Sequence, residues 1–152
     1  MTPAIEIRLL GPADAQLLAR VSPDVFDGAL NPRCTQEFLR DPRHHMALAL
    51  VDGVVVGMAS AVHYVHPDKE PVLWINEVGV AQTHQRSGIA RRLLQALFER
   101  GRDVGCRTSW VATEASNTAA RRLYEGAGGK LEEEVAVVYD FDLARLHSQT
   151  GH

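Results

Sequence analysis

The sequence is poor in the features that mark several large classes of protein. It has only two cysteines, Cys34 and Cys106, far apart and in no C-x-x-C pair, so reduced thiols are expected rather than a disulfide framework. Its longest apolar run, residues 54–62, is much shorter than the roughly 20 residues that cross a bilayer. Residues 1–10 carry Glu6 and Arg8 where a secretory signal has an unbroken apolar core. These absences predict a cytoplasmic protein.

An excess of positive charge is also missing. The chain has 16 Lys and Arg against 19 Asp and Glu, a formal net charge of -3, which argues against a nucleic-acid partner and is compatible with a cationic substrate. Hydrophobic residues make up 45% and charged residues 23% of the 152, an ordinary globular balance without repeats or low-complexity segments. We predict a single domain over residues 1–146 and a disordered tail over 147–152.

The order of apolar patterns predicts an α/β (α+β) fold built on one mixed sheet. Asp52-Gly53 between two β-branched runs is a strong hairpin signal. Residues 22–34, which hold glycine and two prolines, are expected to be irregular, and residues 66–71 form a polar connection. Strands are predicted at residues 4–10, 46–51, 54–64, 72–80, 108–113 and 135–143, and helices at 13–20, 35–40 (capped by Thr35), 88–104 and 117–125.

The stretch after the fourth predicted strand has the makings of an anion site. An apolar strand enters a polar turn, and the turn opens the longest amphipathic helix, whose first N–H groups lack intrahelical partners. Gly88 and Ala90 keep side chains small, while Arg86 and Arg91, with Arg92 nearby, add positive charge. Neither a Walker loop nor a dinucleotide fingerprint is present. Taken alone, the turn also fits an ordinary strand-to-helix connection with surface arginines.

Two motifs in this region resemble those of the GNAT superfamily of N-acetyltransferases. Gln85-Arg86-Ser87-Gly88-Ile89-Ala90 is similar to its Q/R-x-x-G-x-G/A signature, and residues 117–128 to its N-x-x-A-x-x-L-Y-x-x-x-G helix. The resemblance implies a central mixed sheet of six to seven strands, about four flanking helices, acetyl-CoA as cofactor and a homodimer. It implies a pantetheine arm along Val78 and Val80 and a diphosphate on the amides of residues 86–91. The implied cofactor-binding residues are Val78, Gly79, Val80, Gln85, Arg86, Ser87, Gly88, Ile89, Ala90, Arg91, Asn117 and Tyr124.

The same resemblance assigns two catalytic residues. Acetyl transfer to an amine needs a base for the ammonium proton and an acid for the departing thiolate. Glu77 lies where related enzymes often carry an acidic base, and burial would raise its pKa; the alternative is that it anchors the cationic substrate. Tyr124, placed near the thioester sulfur, is the expected acid, although an isolated tyrosine at such a position is by default a packing residue. Val78 or Val80 could polarise the carbonyl through a backbone N–H.

A subgroup resemblance concerns the acceptor. Tyr64-Val65-His66-Pro67, Pro71 and residues 75–80 resemble the aminoglycoside 3-N-acetyltransferases of the GNAT type, although Glu77 stands where that subgroup has Asp and Asn117 follows the general family pattern. This implies a cationic aminoglycoside held by Glu77, Asp140 and Asp142, with Asp68 or Glu70 from the loop. The alternative for Asp140 and Asp142 is an exposed strand edge.

Other acceptors and roles stay open from the sequence. A protein, peptide or polyamine acceptor would show the same pattern, and so would a non-catalytic acyl-CoA-binding module. The histidines at 44, 45, 63, 66 and 84 have no metal-ligand spacing and are expected to face solvent for the most part, with His63 or His66 bordering the acceptor. Trp74 and Trp110 are expected in the core.

Overall fold

A computed structural model describes residues 3–147 of the chain. Its strands are β1 Glu6–Leu9, β2 His44–Val51, β3 Val54–His66, β4 Lys69–Val80 and β5 Thr108–Val111, and its α-helices are α1 Pro32–Arg40, α2 Ile89–Asp103, α3 Thr118–Gly126 and α4 Leu143–His147. Short 3₁₀ turns lie at Ala15–Ala19 and Gln82–His84.

The five strands form one sheet in chain order. Each strand from β1 to β4 pairs antiparallel with the next, and β5 joins β4 in parallel after the crossover through α2. The predicted α/β class and the number of flanking helices are confirmed, whereas the six to seven strands were an overestimate for the described residues.

Two hairpins connect β2, β3 and β4. Asp52 and Gly53 have φ values of 50° and 78°, the two positive values of a type I′ turn, so the predicted β2–β3 hairpin is confirmed. The β3–β4 connection is shorter than predicted, because His66 already pairs with Lys69. The polar residues Lys69 and Glu70 therefore belong to β4 rather than to a loop.

Helix α2 covers one face of the sheet and forms most of the core with it. Ile89, Leu93 and Leu97 are at most 1% exposed and pack over a strip of small residues on β2 and β3. A Cβ built on Gly57 would lie 3.1 Å from the Ile89 side chain, so the helix approaches the sheet closely at that point. Each of these buried aliphatic side chains contributes roughly 1.5–3 kcal/mol relative to exposure.

Helix α1 begins earlier than predicted. The Asn31 side chain accepts from the Cys34 amide at 3.0 Å and Pro32 occupies the first turn, so Asn31 caps the helix, not Thr35. The Thr35 hydroxyl donates instead to the Asn31 carbonyl at 2.8 Å. Residues 22–31 are irregular, as expected.

The strand predicted over residues 135–143 is wrong. Residues 135–142 have no regular structure, and Val135 and Val138 are 93% and 89% exposed. Alternating apolar residues favour a strand only where a neighbouring strand supplies hydrogen bonds, and none pairs with this segment in the described chain. Asp142 instead accepts from the Arg145 amide at the start of α4. His147 ends α4, and the remaining residues 148–152 of the predicted tail lie outside the described residues.

Residues 3–147 contain neither a candidate membrane-spanning helix nor a candidate metal-binding cluster. None of the helices there is long and apolar enough to cross a membrane. No group of three or more His, Cys, Asp and Glu side chains in this part of the chain could hold a metal ion.

Candidate active site

The sheet splits along β4. Strand β5 pairs with β4 only from Val72 to Ile75, while β3 pairs with β4 as far as Val80. The edge of β4 from Asn76 to Val80 that faces away from β3 is consequently open. An extended ligand with amide groups can add there as a further strand would.

The open edge presents backbone groups of the two valines named from the sequence. The Ala81 amide donates to the Val56 carbonyl at 2.8 Å, so its backbone groups point towards β3. Backbone groups alternate in direction along a strand, so those of Val78 and Val80 point to the open side. The Gln85 side-chain amide donates to the Val80 carbonyl at 3.1 Å, as this direction requires.

The open edge leads directly to the uncapped N-terminus of α2. Gly88 occupies the N-cap position with φ 79° and no side-chain cap, and Arg86 is also left-handed, with φ 63°. The Ser87 hydroxyl donates to the His84 carbonyl at 2.5 Å and holds the turn. In the described chain, the amides of residues 88–91 have no protein acceptor. These amides and the helix dipole favour an anion at this point.

Only part of the expected side-chain charge is free to reach that anion. Arg86 and Arg91 are exposed, and neither forms an ion pair within residues 3–147. Arg92 donates to the Ile5 carbonyl at 3.2 Å and so ties α2 to the chain before β1. Ile89 is 1% exposed, so only its backbone amide is available.

A one-residue bulge turns Glu77 away from the core. On β3, the neighbouring residues Ala61 and Ser60 pair with Ile75 and Glu77 of β4. Asn76, between these two, is therefore the extra residue of the bulge. Before the bulge, Leu73 and Ile75 face α2; after it, Glu77 and Gly79 face the opposite side of the sheet. Glu77 is exposed there, so the burial expected for it is not observed.

On that opposite side, Glu77 lines a cavity of about 370 Å³ between the sheet, residues 26–31 and α1. No sequence motif predicts this cavity, because its walls come from an irregular segment whose position depends on tertiary packing. Apolar residues in a glycine- and proline-containing segment were the available hint. The other lining residues are Leu10, Leu18, Phe26, Asp27, Gly28, Ala29, Leu30, Asn31, Cys34, Thr35, Phe38 and Met46.

Close backbone packing fixes the irregular segment over β4. A Cβ built on Gly79 would lie 2.2 Å from the Val25 carbonyl oxygen, and Val25 is 2% exposed. Only glycine permits this approach, so Gly79 places the cavity wall beside the open edge.

Tyr124 lies on the α2 side of the split. It borders a cavity of about 200 Å³ together with Ile75 and Val111, the last residues paired between β4 and β5. Burial raises the pKa of its phenol, which therefore stays protonated at neutral pH. Asn117 caps α3 by accepting from the Ala120 amide at 3.0 Å. Tyr124 and Glu77 thus approach the split from opposite faces, and each lines a cavity of its own.

Four acidic candidates lie away from Glu77. Asp140 and Asp142 are exposed in the irregular C-terminal segment, and neither lines the Glu77 cavity. Asp68 contacts His66 and Lys69 in the β3–β4 turn, and Glu70 lies 3.5 Å from Arg107. At about 3.3 Å per residue, these last two lie roughly 23–30 Å from Glu77 along β4.

Several histidine and tryptophan predictions were wrong. His45 is 5% exposed, and its Nε2 lies 2.7 Å from Nδ1 of the half-buried His63. Burial first, and then the charges of His63 and Arg100, lower the pKa of His45 to about 4. Trp110 is 53% exposed, with its ring centroid 6.2 Å from that of Trp74. Neither His63 nor His66 lines the Glu77 cavity.

Comparison with known proteins identifies the relatives of this arrangement. The sequence model of the Acetyltransferase (GNAT) family matches residues 15–128. The chain is 30% identical over 97 residues, 60% of its own length and 67% of the relative's, to aminoglycoside N(6')-acetyltransferase type 1 of Salmonella typhimurium. That relative is named for the 6' nitrogen, so the similarity found is to the 6'-N type and not to the expected 3-N subgroup.

Two solved structures share the fold. An aminoglycoside acetyltransferase from an uncultured soil metagenomic sample, in complex with sisomicin, has a TM-score of 0.76 at 19% identity and covers 90% of this chain and 95% of its own. Aminoglycoside N-acetyltransferase AAC(6')-Iy, in complex with CoA, has a TM-score of 0.75 at 22% identity over 92% and 97% of the two chains. At these identities, the likeness shows the fold alone.

Proposed function

The chain belongs to the acetyltransferase (GNAT) family and is an acetyl-CoA-dependent N-acetyltransferase; on this premise we propose that its acceptor is the primary amine of a small cationic molecule. The proposal also assigns the site. The open edge of β4 and the N-terminus of α2 hold the cofactor, and the Glu77 cavity holds the acceptor. The homodimer expected from the resemblance stays a prediction.

One observation carries the cofactor assignment: the open edge of β4 leads directly to the uncapped N-terminus of α2. The open backbone groups of Val78 and Val80 suit the amides of a pantetheine arm. A few residues further along the chain, the free amides of residues 88–91 suit a diphosphate, with Arg86 and Arg91 beside them. Gln85 holds the Val80 carbonyl and thereby shapes the turn between the two. The Asn117 side-chain oxygen caps α3, so its NH₂ group is the part proposed to contact the pantetheine arm.

The chemistry follows from where Glu77 and Tyr124 lie. A thioester carbonyl at the split would have Glu77 on one face and Tyr124 on the other. Glu77, directly or through a water molecule, removes the proton of the acceptor ammonium. The amine nitrogen then bonds to the carbonyl carbon, the carbon–sulfur bond breaks, and the Tyr124 hydroxyl gives its proton to the departing thiolate. The nitrogen loses its second proton, which returns to the Tyr124 phenolate through solvent, and Glu77 releases the first proton to bulk water. A backbone N–H of Val78 or Val80 stabilises the oxyanion.

Aminoglycosides are a second candidate class of acceptor, favoured by the relatives rather than by the apolar walls of the cavity. The Salmonella relative is named for acetylating their 6' nitrogen, and the carboxylates of Glu77 and Asp27 favour a cationic amine in the cavity. The 6' amine takes the place of the 3-N position in this proposal. Asp140 and Asp142 belong to it only if the C-terminal segment moves towards the cavity.

A thiol-release assay with acetyl-CoA tests the proposed function. Purified protein is offered sisomicin, spermidine, simple alkylamines and a short peptide, and free CoA is followed with time. Turnover of at least one amine, with acetylated product seen by mass spectrometry, is expected. Tight CoA binding without turnover of any amine would contradict the proposal and indicate an acyl-CoA-binding module.

A further inference from the structure

We infer that the acceptor carries its amine on an apolar alkyl or aryl group, and that the enzyme selects such amines over polyhydroxylated amino sugars. The inference rests on the proposed function, because it takes the Glu77 cavity as the acceptor site. It is carried by the chemistry of the cavity walls, which nothing in the two sequence motifs specifies.

The walls are predominantly apolar. Six aliphatic, aromatic or thioether side chains converge on the cavity from β2, α1 and the segments between β1 and α1, namely Leu10, Leu18, Phe26, Leu30, Phe38 and Met46. None of them can donate or accept a hydrogen bond of ordinary strength. Each sugar hydroxyl placed against them would lose its bonds to water without replacement, at a cost in binding.

The polar groups of the cavity are few, and two are already engaged. Asn31 uses its side-chain oxygen to accept from the Cys34 amide, and the Thr35 hydroxyl donates to the Asn31 carbonyl. The two carboxylates of Asp27 and Glu77 are the acidic groups of the lining. This set suits one ammonium group on an apolar body better than several ammonium and hydroxyl groups spread over linked sugar rings.

The apolar walls are held in place before any acceptor binds. The Val25 carbonyl packs closely against Gly79, and the Asn31 cap fixes the start of α1. Phe38 packs against His44, with ring centroids 5.1 Å apart. A preformed apolar cavity costs little ordering on binding, so it can discriminate by the fit of the acceptor.

The test compares two amines that share an aminoethyl group, 2-phenylethylamine and ethanolamine, with sisomicin as the amino sugar. The free energy of burying the phenyl group should be close to that of burying a Phe side chain. This predicts kcat/KM about 10–100-fold higher for 2-phenylethylamine than for ethanolamine. Sisomicin is expected to fall below 2-phenylethylamine as well.

A matched pair of variants assigns the preference to the cavity. Leu30 lines the cavity and is 38% exposed, so Leu30→Ser should fold and should reduce the preference for 2-phenylethylamine several-fold. Leu131→Ser is the control, because Leu131 is 74% exposed and does not line the cavity. It should leave kcat/KM for 2-phenylethylamine and for ethanolamine unchanged.

Alkylation of Cys34 supplies a readout that does not depend on turnover. Cys34 lines the cavity and is exposed, whereas Cys106 is buried, so brief iodoacetamide treatment of the native protein reports on Cys34. We expect 2-phenylethylamine to slow this alkylation and ethanolamine at the same concentration to leave it unchanged.

The outcomes separate the two proposals. Equal or higher kcat/KM for ethanolamine or sisomicin than for 2-phenylethylamine would overturn the apolar preference while leaving the N-acetyltransferase proposal intact. Failure of every amine to be acetylated, with CoA bound, would overturn both.

Discussion

The two halves of β4 differ in how many neighbours they have. From Val72 to Ile75 the strand is paired on both sides, with β3 and β5, and the side chains of Leu73 and Ile75 enter the core under α2. From Asn76 to Val80 it is paired on one side only, and Glu77 faces a cavity while Val78 and Val80 pack against the margin of the core. The bulge at Asn76 separates the halves. One continuous strand therefore supplies both the rigid support and the binding edge of the site.

This difference teaches that position along β4 decides what a residue contributes. A change in the closed half should alter the free energy of unfolding and spare the chemistry of the folded fraction. A change in the open half should alter catalysis or binding, with little effect on stability where the side chain is exposed, as at Glu77. Substitutions on the two sides of Asn76 test this division.

The largest effect is expected at Glu77. Loss of a general base typically lowers the rate 10²–10⁴-fold, so Glu77→Gln should lower kcat by about that factor. Because Glu77 is exposed, the substitution should change the unfolding free energy of the protein by at most about 0.5 kcal/mol. Measurement of kcat against pH should also show a flattened acidic limb. If only KM rises and the pH profile is unaltered, Glu77 anchors the substrate and is not the base.

The next largest effect is expected at Leu73 in the closed half. Leu73 is 1% exposed and packs against Gly101 of α2, so Leu73→Ala should cost about 2–5 kcal/mol of unfolding free energy. Urea denaturation measures the loss, and KM for acetyl-CoA at low temperature should stay at the wild-type value. A raised KM with unchanged stability would break the division between the halves.

Gly79 should show an intermediate effect in the open half. Gly79→Ala would push its Cβ against the Val25 carbonyl and displace the cavity wall, with an overpacking cost of about 1–3 kcal/mol. KM for the acceptor amine should rise more than KM for acetyl-CoA. Gly126→Ala is the control, since a Cβ there meets nothing within 4 Å. Equal kinetics for the two variants would mean that residues 22–31 do not form the acceptor wall.

A smaller effect is expected at Tyr124, across the split from Glu77. A thiolate whose conjugate acid has a pKa of about 8.5 leaves readily, so loss of the proposed acid in Tyr124→Phe should lower kcat by about tenfold only. Acetyl-CoA affinity, measured by calorimetry, should be retained because the ring remains. An unchanged kcat would remove Tyr124 from the acid role and leave it as a packing residue.

The smallest effect concerns His45, which lies on the α2 side of the sheet beside the closed half. Unfolded His45 with its ordinary pKa of 6.5 gains a proton as the pH falls, while folded His45 resists until about pH 4. Stability present above pH 6.5 should therefore be lost progressively between pH 6.5 and 4. Urea denaturation across this range measures the slope. His45→Gln should reduce it and His84→Gln should not; identical slopes in both would contradict the assignment.

Local signals predicted those parts of the molecule that depend on neighbouring residues in the chain. Asp52-Gly53 specified its hairpin because both residues accept positive φ, and the apolar stripe of α2 predicted which side chains are buried. The turn before α2 was predicted as an anion site because free amides are a property of any helix start.

The remainder depends on contacts between segments distant in the chain. The strand expected over residues 135–143 lacks a neighbour, and Trp110 lies on a sheet face that the described chain leaves half open. The bulge that turns Glu77 towards the acceptor cavity arises from the register of β3 against β4. The cavity itself is assembled from residues 10–46 and Glu77, so no single stretch of sequence predicts it.

Hydrogen exchange of the full chain with and without CoA shows whether the cofactor binds at the open edge of β4 and the start of α2. The account predicts slower exchange of the amides of Val78, Val80 and residues 86–91 on binding, with little change over Val72–Ile75, which are already paired on both sides. Slower exchange elsewhere, with residues 86–91 unaffected by saturating CoA, would contradict the claim that the open edge of β4 and the start of α2 form the cofactor site.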